Sequence, residues 1–130
     1  MPMVLIEIGK KYTFEHEAAL MQAVHTALID AFKVTDHAIN VRLLVHEPHR
    51  FTTPINTNPE LYTLISIDCF TGRSLDAKRE LYSCIVQNLS ALGIPKDHVK
   101  IVIRESSREN WGILGGHPGC NVDVGYEVEI

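Results

Sequence analysis

Apolar and polar positions alternate through MVLIEI at residues 3–8, and this period of two predicts a strand. From Thr13 the rhythm changes. Leu20, Val24, Ala27, Leu28 and Ala31 recur at three- and four-residue spacing, which predicts a helix running to about Phe32 with one apolar face. Thr13 stands at its N-cap position, and Glu15 and Glu17 fall in the first turn, where carboxylates complement the helix dipole. After the polar break Thr35-Asp36-His37, the segment NVRLLVHE (40–47) alternates again through Val41, Leu43 and Val45 and predicts a second strand. The first third of the chain therefore reads as a βαβ unit. Residues 48–60, PHRFTTPINTNPE, are rich in proline, asparagine and threonine and predict a loop.

The pattern then starts again. YTLISIDC (62–69) predicts a strand, Ser74 caps a helix with Asp76 in its first turn, and Ala77, Leu81, Ile85, Leu89 and Leu92 form the apolar stripe that Gly93 ends. VKIVIRE (99–105) follows as a strand, and the second copy begins about sixty residues after the first. The expected architecture is one α/β domain over 1–130, with βαβ repeats at about 2–47 and 61–105. Two fused units give a four-stranded sheet with two helices on one face, and the right-handed crossover makes the strands within each unit parallel. Residues 106–130 form a Gly-rich loop, and VDVGYEVEI then alternates like a late strand, one that could add to a neighbouring subunit's sheet. The strands are apolar at both parities, as in Val4 and Leu5, Leu43 and Leu44, and Leu64 and Ile65. Strands of that kind are buried on both faces, so the face without helices is expected to pack against copies of the same chain.

Composition narrows the function classes. Hydrophobic residues make up 45% and charged residues 22%, the profile of a folded domain. The net charge of -4 and the absence of Lys/Arg runs leave no footprint for nucleic acid or an anionic membrane. No apolar stretch is long enough to span a bilayer, and the N-terminus lacks a leader-like pattern, so the expectation is a cytoplasmic protein. Cys69, Cys84 and Cys120 are odd in number and widely spaced, which fits reduced thiols better than a disulfide framework or zinc site. His46 and His49 are three apart, but Pro48 lies between them and no third ligand is nearby, so no metal site is expected.

Pro2 has two readings. A proline at the first residue of a strand costs no ladder bond and can simply mark the strand's edge. Alternatively, aminopeptidases usually remove a methionine that precedes proline, which would leave Pro2 with a free secondary amine able to act as acid or base.

Pro2 followed by the doubled βαβ pattern, Ala31-Phe32-Lys33-Val34, His46 with Pro48, Thr71-Gly72-Arg73-Ser74, Glu105 and Trp111-Gly112 resembles the tautomerase superfamily, the 4-oxalocrotonate tautomerase fold. Within it the chain most resembles the subgroup that contains malonate semialdehyde decarboxylase and its tautomerase-like relatives. The resemblance implies a homotrimer whose sheets line a barrel, no cofactor, and a small carboxylate substrate. It implies that Pro2 moves a proton between oxygen and carbon of an enol or α-keto acid, which would make the protein an isomerase. Arg73, at the start of the second helix, is the expected carboxylate anchor, its guanidinium acting together with free helix N–H groups. The competing reading is a surface arginine. Phe70 and Thr71 belong to the same expected substrate-binding set. Trp111 and Leu114 would form an apolar wall, although Trp111 could equally pack the C-terminal loop onto the barrel.

Two positions depart from the decarboxylase. Thr71 stands where it has a further arginine, and Ala38 where its aspartate falls; Asp36, two residues away, could substitute only if the loop shifted. Phe70 stands where cis-type haloacrylate dehalogenases have an arginine. The alternatives to a tautomerase are a decarboxylase or hydratase working through protonated Pro2, and a non-enzymatic small-molecule-binding or interaction protein on the same trimer.

Overall fold

The alternation in MVLIEI becomes strand β1 (Met3–Ile8), whose Val4, Ile6 and Ile8 point inward and are buried. The computed structural model describes residues 1–130. Thr13 caps helix α1 (Phe14–Phe32), its Oγ1 accepting the His16 N–H at 3.2 Å, and all five residues of the predicted apolar stripe are buried. Strand β2 (Asn40–Val45) ends before Glu47 because the chain leaves the sheet for a single 3-10 turn at Pro48–Arg50. Strand β3 (Thr63–Phe70), helix α2 (Leu75–Ser90) and strand β4 (Val99–Ser106) repeat the plan. The Ser74 hydroxyl caps α2 by accepting the Ala77 N–H at 3.1 Å. In α2, Leu81, Ile85 and Leu89 are fully buried, while Ala77 and Leu92 sit at the margin of the same core.

The strands form one sheet in the order β2-β1-β3-β4. Each βαβ unit supplies a parallel pair, β1 with β2 and β3 with β4, and the two units meet through antiparallel β1 and β3. One apolar cluster joins Ile6, Ile65 and Ile67 of the sheet to Leu20, Leu28, Leu81 and Leu89 of the helices, so both helices cover the same face. Burying such side chains contributes roughly 1.5–3 kcal/mol each, which is what holds the layers together. No helix is long and apolar enough to cross a membrane.

The other face of the sheet stays open in the single chain. Met3, Leu44 and Val102 are exposed there, next to an Asp68–Arg104 ion pair at 3.0 Å that bridges β3 and β4.

The C-terminal segment forms no strand within the single chain. VDVGYEVEI makes no ladder; Gly125 adopts a left-handed φ of 79°, and its N–H is taken by the Asp123 carboxylate at 2.9 Å. That side-chain turn breaks the alternation in the middle. The tail folds instead onto its own chain. Val128 is buried against Gly72, and the Ser74 hydroxyl donates to the Ile130 carbonyl at 3.0 Å. Within the Gly-rich loop, a short hairpin pairs β5 (Gly112–Ile113) with β6 (His117–Pro118).

Candidate active site

Pro2 sits at the mouth of β1, buried, with its carbonyl accepting the Asn40 N–H at 3.1 Å. The rung uses only its acceptor, so a residue without an N–H loses nothing there. Met1 lies just outside. Its ammonium donates to the Tyr126 hydroxyl, and its pKa is lowered from 8.0 to about 5, first by burial and next by the Arg73 cation. Arg108 adds in the same direction. The N-terminus therefore lies in a desolvated, electropositive niche, in which an amine is held largely uncharged at neutral pH.

Arg73 enters this niche from the turn between β3 and α2. The last rung of the sheet here is the Thr71 N–H donating to the Ser106 carbonyl at 3.0 Å; Gly72 then turns the chain at φ 147°. A Cβ at Gly72 would meet Val128 Cγ1 at 3.1 Å, so glycine is needed both for the turn and for the approach of the tail. Arg73 folds inward and is only 5% exposed. Its Nη1 donates to the Phe70 carbonyl at 3.1 Å, and its guanidinium lies over the Phe32 ring at 4.7 Å. Its Nε and Nη2 are buried and make no close hydrogen bond, and the side chain that the guanidinium addresses is the Tyr126 phenol. These two N–H groups form one edge of the guanidinium, the fork that matches the two oxygens of a carboxylate. The guanidinium turns away from the helix start, where the Ser74 hydroxyl takes one of the first-turn N–H groups. Phe70 and Phe32 draw the guanidinium into the interior.

Phe70 is the hub on the far side of Arg73. Its buried ring meets Trp111 edge-on at 5.2 Å and carries the Arg108 guanidinium on a face, also at 5.2 Å. Trp111 Nε1 donates to the Ser106 hydroxyl at 2.9 Å, which pins the C-terminal loop to the end of β4. Arg108 donates to the carbonyls of Gly119 at 3.2 Å and Val122 at 2.8 Å, holding the base of the tail.

Of the residues predicted from sequence, Pro2, Arg73 and Phe70 come together with Trp111 behind them. Thr71 is exposed beside Arg73. Leu114 is exposed at the tip of the hairpin, with a left-handed φ of 49°. Asp36 is exposed, and its carboxylate is bonded to His25 Nε2 at 2.7 Å, which ties it to α1. Ala38, by contrast, is buried. Sequence reasoning missed Tyr126 and Arg108. Tyr126 was hidden in an apparent strand, although Asp123 and Gly125 before it carry the side-chain turn signal. Nothing in Arg108's local sequence marks it.

A concavity of about 630 Å³ lies elsewhere, at the C-terminal ends of β1 and β2. Its imidazole is already engaged: His46 pairs with Glu7 at 3.0 Å and stacks on Phe51 at 5.0 Å. The orphaned donors of Arg73 make the Pro2 end the better candidate site.

Known proteins share this fold and part of this sequence. Residues 38–114, more than half of the chain, match the family described as tautomerase enzyme. The probable tautomerase RSp0893 of Ralstonia nicotianae (strain ATCC BAA-1114 / GMI1000) is 32% identical over 53 residues, spanning 40% of this chain and 76% of that protein. Among solved structures, FG41 malonate semialdehyde decarboxylase inhibited by 3-bromopropiolate superposes with a TM-score of 0.79 at 20% identity, covering 89% of this chain and 92% of that one. The Q0 fused 4-OT symmetric trimer has the same TM-score and identity, covering 91% and 96%. The sequence match over more than half of the chain, on a fold shared along nearly all of it, shows that this protein belongs to the tautomerase superfamily.

Proposed function

We propose that the protein is a tautomerase of small enol or α-keto carboxylates, with Pro2 as the proton-transferring amine after loss of Met1 and Arg73 as the carboxylate anchor. The observation that carries this reading is the buried Arg73 guanidinium, whose Nε and Nη2 make no close hydrogen bond and whose charge acts on the N-terminal amine and the Tyr126 phenol. A buried, unsatisfied, charged donor pair is costly unless a ligand completes it, and a carboxylate supplies two acceptors at the matching spacing.

Removing Met1 places the new amine one residue deeper, where the same burial and the same Arg73 cation act on it. Both favour the neutral base over the ammonium. The substrate's carboxylate, seated on the Arg73 fork, brings its adjacent enol oxygen and carbon to that base. The amine takes the enol proton and returns it to carbon, and holding the reacting groups in one geometry supplies much of the acceleration. The decarboxylase or hydratase reading needs the protonated amine, which this niche disfavours. It also lacks the family residues at Thr71 and Ala38. The non-enzymatic reading keeps the anion site without turnover.

The functional unit in this proposal is a homotrimer. Exposed Met3, Leu44 and Val102 on the open sheet face support it, as does the fused 4-OT relative described as a symmetric trimer. Ultraviolet assays of enol phenylpyruvate and 2-hydroxymuconate test the function: ketonisation that Arg73→Ala impairs is expected. No turnover would favour the binding reading, and carbon dioxide release from malonate semialdehyde would favour the decarboxylase.

A further inference from the structure

The Met1 ammonium occupies space that is vacated when Met1 is removed, and the group facing that space is the Tyr126 hydroxyl. Arg73 reaches the same place: its charge acts on the Met1 amine, and on the Tyr126 phenol it acts by charge and by a side-chain hydrogen bond. We propose that Tyr126 is a further catalytic residue of this site, its phenolic O–H donating a hydrogen bond to the substrate's enol or enolate oxygen while Arg73 holds the carboxylate. The inference rests on the tautomerase reading and adds to it a residue from the tail.

The tail is built to hold the phenol in place. Gly125 and the Asp123 carboxylate make the turn before Tyr126, Val128 is buried against Gly72 after it, and Ile130 is held by the Ser74 hydroxyl. Gly72 and Ser74 flank Arg73, so the same short turn that positions the anchor also positions the tyrosine. Burial is the largest influence on Tyr126 and raises its pKa, which keeps the proton on the phenol at neutral pH. A preorganised phenol donor in a water-poor site stabilises developing enolate charge without having to reorient.

The proton balance is simple. The enol O–H bond breaks and its proton goes to the Pro2 amine. The oxygen lone pair forms the carbonyl as the carbon–carbon π pair takes a proton from the resulting prolinium at the adjacent carbon. Tyr126 keeps its own proton throughout. Its hydrogen bond is strongest when the oxygen carries most charge, so it should act on kcat more than on KM.

The test is Tyr126→Phe in protein confirmed by mass to lack Met1. With enol phenylpyruvate, kcat should fall at least about tenfold with KM within about twofold, the pattern of a lost transition-state donor. A second arm needs no turnover. Oxalate carries an enolate-like oxygen beside its carboxylate and propionate does not, so Tyr126→Phe should weaken oxalate binding in calorimetry and leave propionate binding unchanged. Equal weakening of both ligands, with a lowered melting temperature, would overturn the proposal in favour of a purely structural tyrosine. Unchanged kcat and unchanged oxalate binding would overturn it while leaving the tautomerase reading intact if Arg73→Ala is still impaired. Absence of turnover in the wild type would instead refute the tautomerase reading, and this proposal with it.

Discussion

Replacing Arg73 by methionine should abolish anion binding without destabilising the fold. Two favourable contacts are lost: the charge-assisted bond from Nη1 to the Phe70 carbonyl at 3.1 Å and the stack on Phe32 at 4.7 Å. Such a bond contributes about 1.5–3 kcal/mol and a desolvated cation–π contact about 0.5–2 kcal/mol. Against this, the substitution removes two buried donors without partners, Nε and Nη2, each costing about 1–3 kcal/mol. Methionine's flexible thioether fills much of the same volume over Phe32. The centres of these ranges nearly cancel, leaving Arg73→Met within about 1 kcal/mol of wild type. At about 4 °C per kcal/mol for a domain of this size, the melting temperature should stay the same or rise by up to about 4 °C. A ligand arm sharpens the test. Oxalate at about 100 times its dissociation constant should stabilise the wild type by about 2.7 kcal/mol and leave Arg73→Met unmoved. Thermal melts at one fixed protein concentration read both effects. A ligand-free loss exceeding about 2 kcal/mol would show that the two donors already have protein partners, and would refute the reasoning.

Other consequences follow from the same geometry. In protein that retains Met1, the amine binds fewer protons folded, with a pKa of about 5, than unfolded, at 8.0; stability should therefore rise from pH 5 to 8 and be lost as pH falls through that window. Denaturant unfolding of this form and of its Nα-acetylated counterpart should show that slope only in the former. Gly72→Ala puts a side chain against Val128 and into an unfavourable φ, so a loss of about 1–3 kcal/mol and faster proteolysis within the tail are expected; unchanged proteolysis would contradict the contact. Ser74→Ala should cost about 1 kcal/mol as a lost N-cap, and more than Thr13→Ala, because the Ser74 hydroxyl also holds Ile130. Val102→Asp on the open sheet face should give monomers by sedimentation, whereas a trimer that tolerates it would move the interface elsewhere.

Most of the fold is legible because the strands carry their period and each helix announces itself twice, once by period and once by cap. Thr13 and Ser74 stand where the helices begin, and the predicted stripes are the buried faces. At VDVGYEVEI the period-two alternation predicts a strand, but within the single chain the segment forms no ladder and Gly125 carries a side-chain turn. A left-handed glycine interrupts the extended run and bends the chain. At the site, Pro2 and Arg73 were legible by type and position, but Arg73's inward course was not. That course depends on Phe32 and Phe70, which are far apart in sequence and meet Arg73 only in the fold. Tyr126 and Arg108 were missed for the same reason: their roles come from tertiary contacts with the N-terminus and Phe70.

The chemical role of Pro2 is the central claim, and it depends on a free nitrogen. An amide-bonded Pro2 has no basic lone pair, so the decisive comparison is between protein shown by intact mass to have lost Met1 and the same chain carrying an uncleaved N-terminal extension. Ketonisation of enol phenylpyruvate is measured for both at equal protein concentration. The account predicts turnover in the first and none above background in the second. Equal turnover in the two forms would contradict it.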